Sequence, residues 1–209
     1  MYLPKHFAEE DVAELHALMR AHPLATLVSH SPEGLNANHI PLLLAEAVPY
    51  GKLQGHVARA NPLWQDGKTA GEVLVIFQGD DCYISPSGYA TKAEHGKVVP
   101  TWNYVAVHAY GELRVIDDPI WIFEQISGLT VANEANLPKP WAVGDAPAEY
   151  IDKMIGAIVG IEITITRLIG KWKVSQNQPA KNKTSLIAAL DQSGHPMAEL
   201  IRQRQEQPE

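Results

Sequence analysis

Between Val99 and Ile116 the chain alternates so regularly that few folds remain open to it. Successive side chains of a strand point to opposite faces. Val99, Thr101, Asn103, Val105, Val107, Ala109, Leu113 and Val115 therefore share one face, and Trp102, Tyr104, His108, Tyr110, Glu112 and Arg114 share the other. The small and branched groups of the first face suit the interior of a β-barrel. The second face is too aromatic to stand free in solvent and predicts a ligand, a partner subunit or both against it.

The same periodicity predicts what surrounds this strand. Val12, Leu15, Leu18 and Met19 recur at helical spacing over residues 9–20, with acidic residues in front and Arg20 behind, as the helix dipole favours. "LATLVSH" and "LNANHIPLLL" read as a hairpin about the turn "SPEG", and "GKLQGHVA" (51–58) as a third strand. "EVLVIFQG" and "CYISPS" read as two further strands separated by Gly79-Asp80-Asp81. Asp118-Pro119 opens a helix over about 119–132 that is expected to bury Ile120, Phe123 and Ile126, with Trp121 a further candidate, and Pro147 opens another with an apolar stripe from Tyr150 to Ile158. "GIEITITRL" (160–168) reads as a half-buried strand, and helices follow near 184–190 and 195–206. Strands joined by short turns, with helices inserted late, predict a mainly β protein with flanking helices built on an antiparallel barrel, not a parallel doubly wound sheet. The expected division is one domain over 1–190 and a C-terminal helical tail over 191–209.

Composition narrows the function classes. A chain of 209 residues, 45% hydrophobic and 20% charged, supports one good core. No apolar run reaches the ~20 residues that span a bilayer. The opening "MYLPKHFAEEDV" has no charged leader followed by an apolar stretch, so no signal peptide is expected and the cytoplasm is the expected location. Cys82 is alone, which excludes a disulfide framework and a cysteine metal cluster. A net charge of −7 works against binding to a phosphate backbone. No Rossmann glycine fingerprint, P-loop, zincin or nucleophile-elbow motif occurs. The spacings of His39, His56, His95 and His108 favour surface or hydrogen-bonded imidazoles over metal ligands.

Two polar segments stand out. In "GHVARANPLW" (55–64) His56 and Arg59 flank a strand end, and Asn61-Pro62 could open a helical turn with free N–H groups; taken alone, the local pattern slightly favours a plain edge arginine and loop asparagine. Arginine's fork, however, suits a phosphate. "SPSGYATKAEHGK" (85–97) adds hydroxyls, Tyr89 and two lysines just before the aromatic strand. Together the segments could clamp a phosphate beside a stacking surface.

"MYLPKHF", "ANHIPLLL", "GHVARANPLW", "FQGDDCYISPS", "KAEHGKVVPTWNYVAVHAYG" and "GKWKVSQN", in that order over residues 1–190, resemble the PaiB family of FMN-binding negative transcriptional regulators. The resemblance implies a split β-barrel related to pyridoxamine-phosphate oxidases, usually a homodimer with FMN at the subunit interface. It implies that His56, Arg59 and Asn61 belong to the segment that holds the FMN phosphate in split-barrel flavoproteins. Gln78, Ser85 and Lys92 match the next segments, and Thr101, Trp102 and Asn103 the signature run; Lys173, Gln176 and Asn177 match as well. The sequence departs from the pattern at Gly88, where a bulky residue is expected, and at Ala90, often proline, which predicts a looser loop and a weaker hold on the cofactor.

Three functions follow as expectations. The first is a flavin-binding regulator, with DNA a partner by resemblance alone, since the chain is acidic and shows no helix-turn-helix pattern. The second is an FMN-dependent oxidoreductase acting on a small molecule, with His39, Tyr104 and His108 lining its pocket. The third is a heme-binding split barrel with an axial histidine. Against all three stands a cofactor-free dimer in which Trp102 and Tyr104 are interface packing.

Overall fold

The computed structural model describes residues 1–66 and 71–206. In chain order its strands are β1 (Ala8–Glu9), β2 (Leu24–Ser31), β3 (Gly34–Pro41), β4 (Leu43–Ala45), β5 (Lys52–Ala58), β6 (Glu72–Ile84), β7 (Thr101–Ile116) and β8 (Ile158–Lys173). Its helices are α1 (Val12–Ala21), α2 (Leu63–Asp66), α3 (Lys92–His95), α4 (Pro119–Glu134), α5 (Ala148–Gly156), α6 (Ala180–Gln192) and α7 (Met197–Glu206). The strands lie in the order β3-β2-β6-β7-β8-β5-β4, with β1 on β8, and every recorded pairing is antiparallel. The chain is an antiparallel split β-barrel with flanking helices, as the alternation predicts.

Contacts divide it into two compact units. A barrel unit comprises His16–Phe77 and His108–Leu168; a terminal unit comprises Met1–Leu15, Gln78–Val107 and Ile169–Glu209.

In the barrel unit one arm of a hairpin serves two partners. β3 pairs with β2 over its whole length, from Leu24↔Pro41 to Ser31↔Gly34. After a break at Leu42 the same run continues as β4 and pairs with β5, Leu43↔Gln54 to Ala45↔Lys52. The two ends of the strand order are therefore consecutive in sequence, and the sheet curls on itself. Asn61 Nδ2 donates to Asn38 Oδ1 at 2.8 Å, a second tie between the end of β5 and β3. Ala25, Leu27, Leu53, Val75, Phe77 and Ile163 fill the interior at no more than 1% exposure. At Gly111 a Cβ would stand 2.3 Å from the Thr164 carbonyl oxygen, so glycine alone lets β7 lie this close to β8.

Three local expectations change. Residues 72–84 form one strand and not two: among the described residues β2 pairs only with residues 74–76 of β6, but β6 also neighbours β7 in the sheet, and strand pairing outweighs the local turn preference of Gly79-Asp80-Asp81. Val99 lies outside β7 and is 74% exposed. Helix α4 starts where Asp118-Pro119 predicts, with the Asp118 carboxylate accepting from Ile120 N–H at 2.9 Å, but it turns a different face inward. Ile122 and Gln125 are buried, while Ile120 is 73% and Phe123 42% exposed. The helix is rotated by Trp121, whose ring occupies the space a Cβ on Gly160 would need, and by Gln125, whose Oε1 pairs with His56 Nδ1 at 2.8 Å.

In the terminal unit β1 pairs with β8, Ala8↔Lys171 and Glu9↔Gly170. "GKWK" extends β8 beyond the predicted strand, so that Trp172 is buried. Leu186, Leu190, Met197 and Ile201 bury the inner faces of α6 and α7. The buried Glu9 carboxylate accepts from Arg204, whose guanidinium also lies 5.8 Å from the Trp172 ring centroid. Residues 207–209 of the expected tail lie outside the described residues.

The outer face of β8 carries one buried charge. Glu162, 5% exposed, stands opposite Gln54 and accepts from Gln54 Nε2 at 3.0 Å, Lys52 Nζ at 3.1 Å and Arg114 Nη2 at 3.0 Å. Burial pushes its carboxyl up, but these donors together outweigh burial and hold it below the ordinary carboxylate range. A depressed folded pKa stabilises the fold above the ordinary carboxylate range, and that stability disappears as pH falls through the folded value. Glu162→Gln is expected to cost about 1–2 kcal/mol near neutral pH. Urea denaturation as a function of pH should show wild type and variant converging in acid.

Candidate functional site

The nine candidate residues fall into two groups. His56, Arg59 and Asn61 belong to the barrel unit, and Gln78, Ser85, Lys92, Thr101, Trp102 and Asn103 to the terminal unit.

In the barrel unit each of the three is engaged by the protein itself. His56 faces Gln125. Arg59 donates from Nη1 and Nη2 to the two Asp117 oxygens at 2.9 and 2.6 Å, from Nε to the Gly156 carbonyl at 2.9 Å and from Nη2 to the Ile158 carbonyl at 3.0 Å. Its hydrogen bond with Asp117 raises its pKa further. Asn61 closes an Asx turn by accepting from Leu63 N–H at 2.9 Å, and so starts α2. This segment braces the end of β5 against the start of β8. His108, whose Nδ1 is buried without a hydrogen-bond partner, has its pKa lowered by burial.

In the terminal unit the signature run meets the late "GKWKVSQN" segment. Asn103, 1% exposed, donates from Nδ2 to Ser175 Oγ at 2.9 Å. Lys173 Nζ donates to Thr101 Oγ1 at 2.5 Å and to the Trp102 carbonyl at 2.6 Å. Burial lowers the Lys173 pKa; Tyr104 opposes that shift and Lys171 adds to it. Ser175 holds φ 63°, a left-handed conformation that turns the chain out of β8 toward α6. Thr101, Asn103, Lys173 and Ser175 line a cleft of about 160 Å³, together with Tyr89 and Asn177.

The remaining candidates belong to the same unit but are not among the residues that line the cleft. Trp102 is 54% exposed, with Tyr83 edge-on at a centroid distance of 5.8 Å. Tyr104 lies 5.2 Å from the ammonium of the buried Lys171, which donates to the Tyr2 carbonyl at 3.0 Å. On the face that the alternation assigns to them, Trp102 is exposed and Tyr104 half-buried. Ser85 accepts from Ser87 N–H at 3.2 Å and caps a short 3-10 turn; Lys92 Nζ donates to Ser87 Oγ at 3.0 Å; Gln78 Nε2 donates to Asp81 at 3.2 Å.

The loop expected to be loose at Gly88 and Ala90 is clasped by α6. Ala90 N–H donates to Ser185 Oγ at 3.0 Å, Ser185 Oγ donates to the Gly88 carbonyl at 2.7 Å, and Thr91 N–H donates to Asn182 Oδ1 at 3.0 Å. A Cβ on Gly88 would meet Leu186 Cδ1 at 3.3 Å, so the small residue lets helix and loop approach. Sequence reasoning did not single out Ser175, Asn182 or Ser185. The polar run "SQNQPAKNKTS" was their only signal, and a polar run ordinarily reads as solvated surface. Replacing Asn103 by Ala leaves the Ser175 hydroxyl buried without its partner, and is expected to cost about 1–3 kcal/mol in urea denaturation.

Comparison with known proteins supplies the family. The model of the family described as "Putative FMN-binding domain" matches residues 1–167. An uncharacterized protein of Emericella nidulans, AN0679, is 34% identical over 99% of this chain and 98% of its own length. The protease synthase and sporulation protein PAI 2 of Bacillus subtilis is 28% identical over 98% of both chains. Among solved structures, the FAD and heme binding protein of Mycobacterium smegmatis superposes with a TM-score of 0.54 at 16% identity, over 79% of this chain and 73% of that one. At that identity the likeness speaks for the fold. Matched across four-fifths of its length by the family model, this split-barrel chain belongs to the FMN-binding domain family and is a homologue of the Bacillus PaiB protein.

Proposed function

We infer that the protein works as a homodimeric flavoprotein whose FMN lies against the Trp102 face of the terminal unit. The observations that support this reading are a half-exposed Trp102–Tyr83 platform on one face of β7 and a cationic, hydroxyl-rich cleft lined by Thr101 and Asn103 from its other face. FMN is a flat aromatic ring with a phosphate tail, and the donor set here fits both ends. Aromatic side chains take the ring by stacking; Lys173 and Thr101, with their hydrogen bonds to spare, suit the tail. When bound, FMN supplies electron transfer, and the chain supplies position and electrostatics. The exposed tryptophan favours a second copy of the chain closing over the site, because large apolar surface left open is a sign of an interface.

In this reading His56, Arg59 and Asn61 serve the cofactor indirectly. They are engaged within the barrel unit and hold the ends of β5 and β8. A regulatory role is supported by the likeness to the Bacillus sporulation protein, and it is best placed at the level of flavin state or a protein partner. A net charge of −7 argues for that over direct contact with DNA. A cytoplasmic location completes the proposal; no helix among the described residues is long and apolar enough to cross a membrane.

Titrating FMN into the purified chain should quench flavin fluorescence saturably, with a Kd of about micromolar or tighter. Trp102→Ala should weaken binding about tenfold. Light scattering should report a particle of about 46 kDa, twice the 23.0 kDa chain. A protein that leaves FMN fluorescence unchanged at high concentration overturns the reading, and a Soret band in place of flavin bands reassigns the site to heme.

A further inference from the structure

The cleft lined by Thr101, Asn103 and Lys173 has a property that ring stacking does not explain. Among its lining residues are one ammonium, Lys173, and several hydroxyls and amides, but no carboxylate. Tyr89, 4% exposed, lines it with a hydroxyl that is buried and has no hydrogen-bond partner; Ser175 lies near without reaching hydrogen-bond geometry. Burying a hydroxyl unpaired costs free energy that a folded protein normally avoids, so an unpartnered hydroxyl on a residue that lines a cleft points to a missing acceptor.

The neighbours are arranged to need the same thing. Thr101 Oγ1 accepts from Lys173, which leaves its own proton to donate, and Lys173 uses two of its three protons within the protein. Burial lowers the Lys173 pKa, the direction that a nearby anion reverses. The cleft also adjoins the start of α6, a thirteen-residue helix whose first-turn N–H groups favour negative charge. Its volume of about 160 Å³ is too small for a whole ligand of ordinary size, which takes about 300 Å³ or more, and ample for a single tetrahedral group.

We propose that this cleft binds a phosphate group, held by the Lys173 ammonium and by the hydroxyls of Tyr89 and Thr101. The phosphate has two sources in prospect: the tail of FMN itself, in which case the inference rests on the flavin reading above, or a separate phosphate-bearing small molecule bound beside the flavin. The clasp of Gly88–Thr91 by α6 holds Tyr89 in place, so the hydroxyl is positioned before the ligand arrives.

The test is calorimetric titration of the full chain with FMN, riboflavin and inorganic phosphate, in wild type, Tyr89→Phe and Lys173→Gln. Tyr89→Phe removes a buried hydroxyl with no partner in the fold, so its melting temperature should be no lower than that of wild type; Lys173→Gln also breaks two internal bonds and is read only beside it. If the phosphate is that of FMN, both variants lose about tenfold in FMN affinity and nothing in riboflavin affinity. If it belongs to a second molecule, inorganic phosphate binds the FMN-saturated wild type and the variants lose that binding while keeping FMN. Either result supports the site. Unchanged affinities for FMN, riboflavin and phosphate in both variants overturn it. Absence of any flavin binding in wild type removes the flavin reading alone, and the phosphate titration still decides the cleft.

Discussion

A small β-barrel must close, and closure needs one strand run that can serve both ends of the sheet. Here that run is 34–45. Its first part zips to β2 and its second to β5, and the break falls at Pro41-Leu42, where a residue without an N–H interrupts the ladder. The closure fixes more than shape. It fixes the register of β5 against β8, which brings Gln54 opposite Glu162 and so gathers the donors that keep that carboxylate charged. It also sets β5 so that His56 meets Gln125, which in turn decides the face that α4 turns inward. Slipping the 34–45 pairing by one residue would exchange inner and outer faces along both neighbours.

The terminal unit follows another logic. Its segments come from three distant parts of the sequence, and buried side-chain hydrogen bonds tie them together beside the backbone ladders. Asn103 with Ser175, Thr91 with Asn182 and Glu9 with Arg204 each bridge residues more than seventy apart. Buried polar pairs of this kind contribute modestly to stability but penalise wrong arrangements, because each partner alone would be left unsatisfied. The strand that supplies Trp102 and Thr101 to this unit is the strand whose alternation is strongest, so aromatic and polar groups stand on opposite faces of one rigid element.

That alternation made the barrel legible in the sequence. Period-two burial at Asn103, Val105, Val107 and Ala109 is visible without a structure, and so are the hairpin about "SPEG" and the Asp118-Pro119 helix start. The facing of α4 was not legible, since Ile120, Trp121, Ile122 and Phe123 are apolar in succession and give the helix no single preferred side. The two strands expected within 72–84 failed for a related reason: Gly-Asp-Asp is a turn signal only when nothing pairs with it. For the site, the segments were legible and their roles were not. Arg59 has the chemistry of a phosphate ligand, yet Asp117, distant in sequence and unremarked there, takes its fork. Lys173 and Ser175 find Thr101 and Asn103 through a reach of seventy residues that no local pattern reports.

The division of the chain has a consequence for its synthesis. Every residue of the barrel unit precedes Ile169, whereas the terminal unit also draws on Ile169–Glu209. At a ribosomal rate of about 5–20 residues per second, the barrel's whole sequence is available a few seconds before the strand end and helices that complete the cleft. During that interval the nascent chain owns Trp102, Tyr83 and Tyr104 but lacks Trp172, α6 and α7 to cover their surroundings. The lining residues Lys173, Ser175, Asn177 and Gln178 are therefore made only after the whole sequence of the barrel unit, so the cleft is completed last.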